Sequence, residues 1–223
     1  MAHKKAVILL SGGLDSTTTL YFAKAKGYEC FCLLFDYGQR HKKELKAAVK
    51  IAKLNNCKYT VVRTALPWSK SALTDSRVKV PKNTKKIGNK IPVTYVPARN
   101  TIFLSFAASY AESIGAKKIF IGANALDYSG YPDCRPKYIK AYEKAVNLGT
   151  KSGATGKKFK IETPLIKLTK AGIIRLGNKL KVPYPLTWSC YLGGKTPCGA
   201  CESCLLRNKG FKESGDCKNN EKM

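Results

Sequence analysis

A chain of 223 residues with 44% hydrophobic and 25% charged residues can bury one sizeable core, as a single domain with a small appendage. No apolar run reaches the roughly 18 residues that a membrane span needs, and residues 1–5 leave no room for a leader before the first strand, so a cytoplasmic location with no membrane partner is expected. The net charge of +27 comes from lysines spread along the chain, in pairs such as Lys42-Lys43, Lys85-Lys86 and Lys157-Lys158; this reads as a solvated basic surface that suits anionic substrates, and direct nucleic-acid binding is not expected.

Ala6-Val7-Ile8-Leu9-Leu10 is a short apolar run of the kind that forms a buried parallel strand. Ser16 to Lys26 follows as a helix, ended by Gly27. Glu29 to Asp36 is a second strand. Leu45, Ala48, Val49 and Ala52 share one helical face, and Tyr59 to Arg63 is a third strand. This β-α-β-α-β order gives the α/β class: a doubly wound, Rossmann-like parallel sheet with its ligand crevice at the carboxyl ends of the strands. Residues 64–97, with Pro67, Pro81, Pro92 and Pro97, break the pattern as a long insertion, expected as a lid or an oligomer contact. Ile102, Phe106, Tyr110 and Ile114 then mark an apolar helix, and Lys117 to Gly122 a fourth strand. Pro136 opens a helix that Gly149 closes after Leu148. Lys158 to Glu162 is a short strand, and Thr169 caps a helix that runs to Lys181 before Pro183. Residues 183–223 form a C-terminal segment with little apolar content.

Five features carry chemistry. Ser11-Gly12-Gly13-Leu14-Asp15-Ser16 follows the first strand and opens a helix, which makes an anion site of free amide N–H groups and positive helix dipole. Ser11, Ser16 and Thr17 add hydroxyl donors, and Asp15 suits Mg²⁺ beside phosphates. The loop is neither a Walker loop nor a G-x-G-x-x-G fingerprint. Asp127-Tyr128-Ser129-Gly130-Tyr131-Pro132-Asp133-Cys134-Arg135 lies after the fourth strand, near that loop by the crevice rule. Its side chains can read a flat heterocycle: tyrosine by stacking, aspartate by accepting from ring N–H groups, arginine by holding a carboxylate. Val96-Pro97-Ala98-Arg99-Asn100 offers Arg99 to an acid or a phosphate, and Asp36-Tyr37-Gly38-Gln39-Arg40-His41 faces the same crevice. Cys190, Cys198, Cys201 and Cys204, spaced C-x7-C-x2-C-x2-C, suit one structural Zn²⁺ held by four thiolates, with an iron–sulfur cluster as the rival occupant. Cys30, Cys32 and Cys57 read as small core residues.

The hexapeptide resembles the S-G-G-x-D-S loop of the PP-loop ATP pyrophosphatases, which grips the β,γ-pyrophosphate of ATP and directs cleavage between the α and β phosphates. With Tyr37 to His41, Val96 to Asn100, Ser129 to Arg135, Thr163-Pro164-Leu165 and the four clustered cysteines, nearly the whole chain resembles the 7-cyano-7-deazaguanine synthase family. The resemblance implies ATP-dependent conversion of 7-carboxy-7-deazaguanine and ammonia into the nitrile preQ0, by adenylation, amide formation and dehydration, in queuosine and archaeosine synthesis. It favours zinc, one ion per chain, and a homodimer. It assigns Leu10, Ser11, Gly12, Gly13, Leu14, Asp15, Ser16 and Thr17 to ATP and Mg²⁺. Asp15, Ser16 and Arg99 take catalytic roles; Arg99, Asp127, Tyr131, Asp133 and Arg135 hold the deazaguanine. Two departures stand out: Ala98 where many members have Gly, and Asn124-Ala125-Leu126-Asp127 where many have Cys-Glu-Thr-Asp. A tRNA-thiolating PP-loop enzyme, or a relative acting on another deazapurine acceptor, is the alternative reading.

Overall fold

The computed structural model describes residues 4–84, 91–126 and 130–221. Five parallel strands, β1 (Lys4–Leu9), β2 (Tyr28–Asp36), β3 (Lys58–Arg63), β4 (Lys118–Phe120) and β5 (Lys160–Glu162), form one sheet in the order β3-β2-β1-β4-β5. The predicted class, doubly wound and Rossmann-like, is the one found. Strands run outward from β1 in both directions, so the order reverses between β1 and β4 and leaves a crevice at their carboxyl ends.

The period of two along β1 sorts the core into two layers. Ala6, Ile8 and Leu10 pack with Leu20 and Ala23 of α1 (Leu14–Ala25) and with Ala48, Ile51 and Ala52 of α2 (Lys43–Leu54). Val7 and Leu9 face the other way, onto Leu104, Ala107 and Ala111 of α3 (Arg99–Ile114) and Ile139 of α4 (Pro136–Leu148). Both faces being covered explains why β1 and β2 read as continuous apolar runs rather than alternating ones.

A short helix, α5 (Lys151–Ala154), leads to β5, and α6 (Lys170–Lys179) opens at Thr169, whose hydroxyl accepts from Gly172 N as the sequence predicts. The C-terminal segment holds more apolar packing than its composition suggests. It contains α7 (Glu202–Ser214), which lies against α6, and its Phe211 ring stands edge-on to Tyr184 at 5.4 Å in a cluster with Leu14, Ile173 and Ile174. A final turn, α8 (Lys218–Glu221), ends the described chain.

The described part of residues 64–97 has neither helix nor strand, yet it is tied down at both ends of the crevice wall. Arg40 Nη2 donates to the carbonyls of Ser76 and Val78 at 2.7 and 3.1 Å. Ala72 and Val80 are buried with Cys190, Cys201 and Cys204, and Lys82 pairs with Cys201 in an antiparallel bridge.

Candidate active site

A cavity of about 270 Å³ opens at the carboxyl ends of β1, β2 and β4. Leu10, Ser11, Gly13, Leu14, Asp15 and Ser16 of the glycine-rich loop line it. Gly12 and Thr17 stand behind as the loop's frame. Gly12 has φ +86°, and a Cβ there would lie 2.3 Å from the carbonyl oxygen of Glu44, so only glycine lets α2 close on the loop. Thr17 Oγ1 donates to Gly13 O at 2.8 Å, Ser16 Oγ to the same carbonyl at 3.2 Å, and Ser11 and Ser16 join hydroxyls at 3.0 Å. Among the described residues no side chain caps the first turn of α1, and the loop before it lines the cavity, so the positive end of the dipole lies at the cavity wall.

Asp15 is held from a distant element. Lys170 Nζ, at the start of α6, donates to its two carboxylate oxygens at 2.8 and 2.7 Å. Across the cavity, Arg99 Nη1 donates to Tyr37 Oη at 3.2 Å. Tyr131 Oη and Thr94 Oγ1 share a hydrogen bond of 2.7 Å, which joins the fourth-strand loop to the 64–97 segment. His41 also lines the cavity; burial lowers its pKa, and its Nδ1 accepts from Lys43 N at 3.3 Å. Removal from water pushes the Glu44 carboxyl up to about 7, against the pull of Arg99.

The remaining residues of these loops divide between the cavity and its surroundings. Asp133 is buried behind the wall, where its Oδ2 accepts from Asn100 N at 3.1 Å and caps the start of α3. Arg135 is exposed and does not line the cavity. Asp127 lies outside the described residues. Asn124 lines the cavity and bridges two loops, accepting from Leu126 N at 2.9 Å and donating to Leu168 O at 2.6 Å.

Cys190, Cys198, Cys201 and Cys204 converge beside this cavity, with their sulfurs within 4.8 Å of one another. The amides of Leu192 and Cys198 point at Cys190 Sγ at 3.4 Å each, and Cys201 N points at Cys198 Sγ at 3.3 Å. Donors aimed at sulfur fit thiolates, and four converging thiolates fit a metal ion. The cluster's neighbours Ser189, Tyr191 and Ser203 are cavity wall.

A family model described as queuosine biosynthesis protein QueC matches residues 5–215. The chain belongs to the QueC family. A 7-cyano-7-deazaguanine synthase of Picrophilus torridus is 59% identical over 214 residues, covering 95% of this chain and 89% of that protein. A synthase of the same name from Nostoc punctiforme is 56% identical over 215 residues, covering 95% and 96%. Among solved structures, NMN synthetase from Francisella tularensis superposes with a TM-score of 0.52 at 15% identity, covering 95% of this chain and 85% of that one. A 4-thiouridine synthetase in complex with RNA and ATP gives 0.52 at 18%, covering 98% and 53%. At such identities these two likenesses establish the shared fold.

Three wall residues of this QueC chain escaped the sequence reading. Lys170 carried a usable signal: a lysine at the first position of a helix opposes the helix dipole and asks for a compensating anion. Glu44 carried none, because an acid in a helix's first turn is ordinary. Arg207 sits mid-helix in α7, yet its guanidinium is buried and donates to Thr187 Oγ1 at 2.8 Å and Tyr184 O at 3.1 Å.

Proposed function

We propose that this chain is a 7-cyano-7-deazaguanine synthase, an ATP-dependent ligase of queuosine-type deazapurine synthesis, and that the cavity at the switch of strand order is where it works. The carrying observation is that the Ser11–Ser16 loop and three further motifs of the family, through Tyr37, Arg99 and Tyr131, open into one cavity.

The chain's own groups divide the task. The uncapped first turn of α1, with Ser11 and Ser16, takes the phosphates of ATP. Asp15 would hold Mg²⁺, which supplies charge neutralisation for the phosphate oxygens. Lys170 fixes Asp15 and adds a positive charge beside the same oxygens. Arg99, steadied by Tyr37, faces the substrate carboxylate, and Tyr131 borders the purine. Asp133 serves indirectly by setting the start of α3, and hence Arg99. Asp127 and Arg135 remain assigned to the deazaguanine on the resemblance alone.

The carboxylate oxygen bonds to the α phosphorus and pyrophosphate leaves. Ammonia displaces AMP to give the amide. A second activation at the amide oxygen allows loss of AMP and formation of the nitrile. Adenylation turns a poor electrophile into a good one, so the protein's part is to align the reactants and to stabilise phosphate charge.

We assign the four thiolates to one Zn²⁺ per chain: a closed tetrahedral set leaves no position for substrate and suits a structural ion. Exposed Trp68, Ile91 and Val93 offer apolar surface for the homodimer that the family implies, and a cytoplasmic location goes with a small-molecule ligase.

The test is a mass-spectrometric end-point assay with Mg-ATP, ammonium and 7-carboxy-7-deazaguanine. Nitrile with AMP is expected. AMP without nitrile would move the substrate to another acceptor, such as tRNA, and absence of ATP turnover in folded, metal-replete protein would refute the proposal.

A further inference from the structure

Among the described residues two carboxylates line the cavity, Asp15 and Glu44. Asp15 is paired with Lys170. Glu44 makes no side-chain hydrogen bond and no ion pair among the described residues. The ionisable groups facing it are Arg99 from α3, Tyr37 beyond β2 and Cys190 from the C-terminal segment. The other charged side chains of the wall, Arg40, Arg99, Lys170 and Arg207, are cations suited to ATP and an acid. With no donor on its oxygens among the described residues, the Glu44 carboxylate leaves both open to a hydrogen-bond donor brought by an occupant of the cavity. Its position narrows the choice. Glu44 Oε1 lies 3.6 Å from where a Cβ on Gly13 would stand, so it borders the phosphate cradle and the reacting carboxyl, not the far edge of a purine.

We propose that the Glu44 carboxylate is the subsite that receives the nitrogen donor as ammonium and takes its first proton. This rests on the synthase reading above. Ammonium passes one proton to a Glu44 oxygen. The lone pair of the resulting ammonia forms a C–N bond at the acyl-adenylate carbon. The C–O bond to AMP breaks, its electron pair leaving on the phosphate oxygen, and the second surplus proton goes from nitrogen to solvent. Mg²⁺ and the purine N–H edge are the competing occupants.

Glu44→Gln keeps the shape and removes the charge. Exchange of pyrophosphate into ATP, dependent on 7-carboxy-7-deazaguanine, reads adenylation without nitrogen transfer. The variant should retain that exchange with unchanged dependence on Mg²⁺ and on the acid. Its kcat/KM for ammonium should fall about 10- to 100-fold, the loss of one charge-assisted contact. Hydroxylamine, neutral at the assay pH, should still give hydroxamate at the wild-type rate. Glu44→Asp should recover part of the ammonium activity, and it carries the test if the glutamine variant does not fold. Exchange falling in step with ammonium use, a shifted Mg²⁺ or acid dependence, or unaltered ammonium kinetics would each overturn the subsite. Absence of exchange in the wild-type chain would overturn the synthase reading itself, which separates the two failures.

Discussion

Ala98 shows how one side chain can carry a cost that its neighbours absorb. It caps α3 with φ 52° and ψ 24°, in the left-handed region where a Cβ is unfavourable. The backbone is held there because Ala98 N donates to Tyr95 Oη at 3.0 Å and Ile102 N returns to Ala98 O at 3.0 Å. The family resemblance implies glycine here in many members, and the left-handed backbone supplies a geometric reason for it. Ala98→Gly should stabilise the chain by about 0.5–1 kcal/mol after the greater freedom of an unfolded glycine is subtracted. Thermal unfolding of the two proteins side by side would show it as a rise in Tm of about 2 °C, with activity retained; a fall would mean that the turn is not strained. At Gly12 the same argument runs in reverse, because the Cβ would meet the Glu44 carbonyl.

Among the elements, α7 does most to finish the site. Cys201 stands at its N-terminus, Cys204 and Arg207 follow within two turns, and Phe211 anchors it on Tyr184 and α6. Phe211 is 1% exposed, so Phe211→Ala should cost about 3–5 kcal/mol, read from urea unfolding curves of matched slope. Because the Arg207 guanidinium lies 5.1 Å from that ring, the same variant should also weaken the cavity wall. Stripping the proposed metal with a chelator would attack the other end of α7. Limited proteolysis should then cut first within residues 183–223 and leave the sheet intact, and Tm should fall; unchanged protease resistance after metal loss would refute the structural role. The elements differ in how openly the sequence announces them. β1, β2 and α3 are plain because burial on both faces or apolar recurrence leaves a pattern. α7 has polar positions among its buried ones, with Arg207 beside Leu206 and Phe211, so its periodicity is faint and the packing shows only in three dimensions.

Across the whole molecule, the first strand, the loop and the cysteine spacing are local in sequence, and the sequence exposes them fully. The cavity is not local. Asp15 meets Lys170 across 155 residues, Arg99 meets Tyr37 across 62, and Arg40 reaches Ser76 through carbonyls whose identity is irrelevant to the contact. No spacing rule encodes such meetings. They follow from which strand neighbours which, and from where the crossover loops land. Asp133 is the sharpest case: beside Tyr131 it reads as a substrate contact, and the structure adds that its Oδ2 accepts from Asn100 N at the start of α3. A short polar loop does not state in sequence which way each side chain turns.

The pairing of Trp188 N with Gly12 O at 2.9 Å, together with the Lys170–Asp15 bond, bears on how the enzyme is made. The glycine-rich loop is braced by groups that lie 155 residues or more further along the chain. A chain under synthesis therefore holds this loop unbraced until Lys170 and Trp188 have been added.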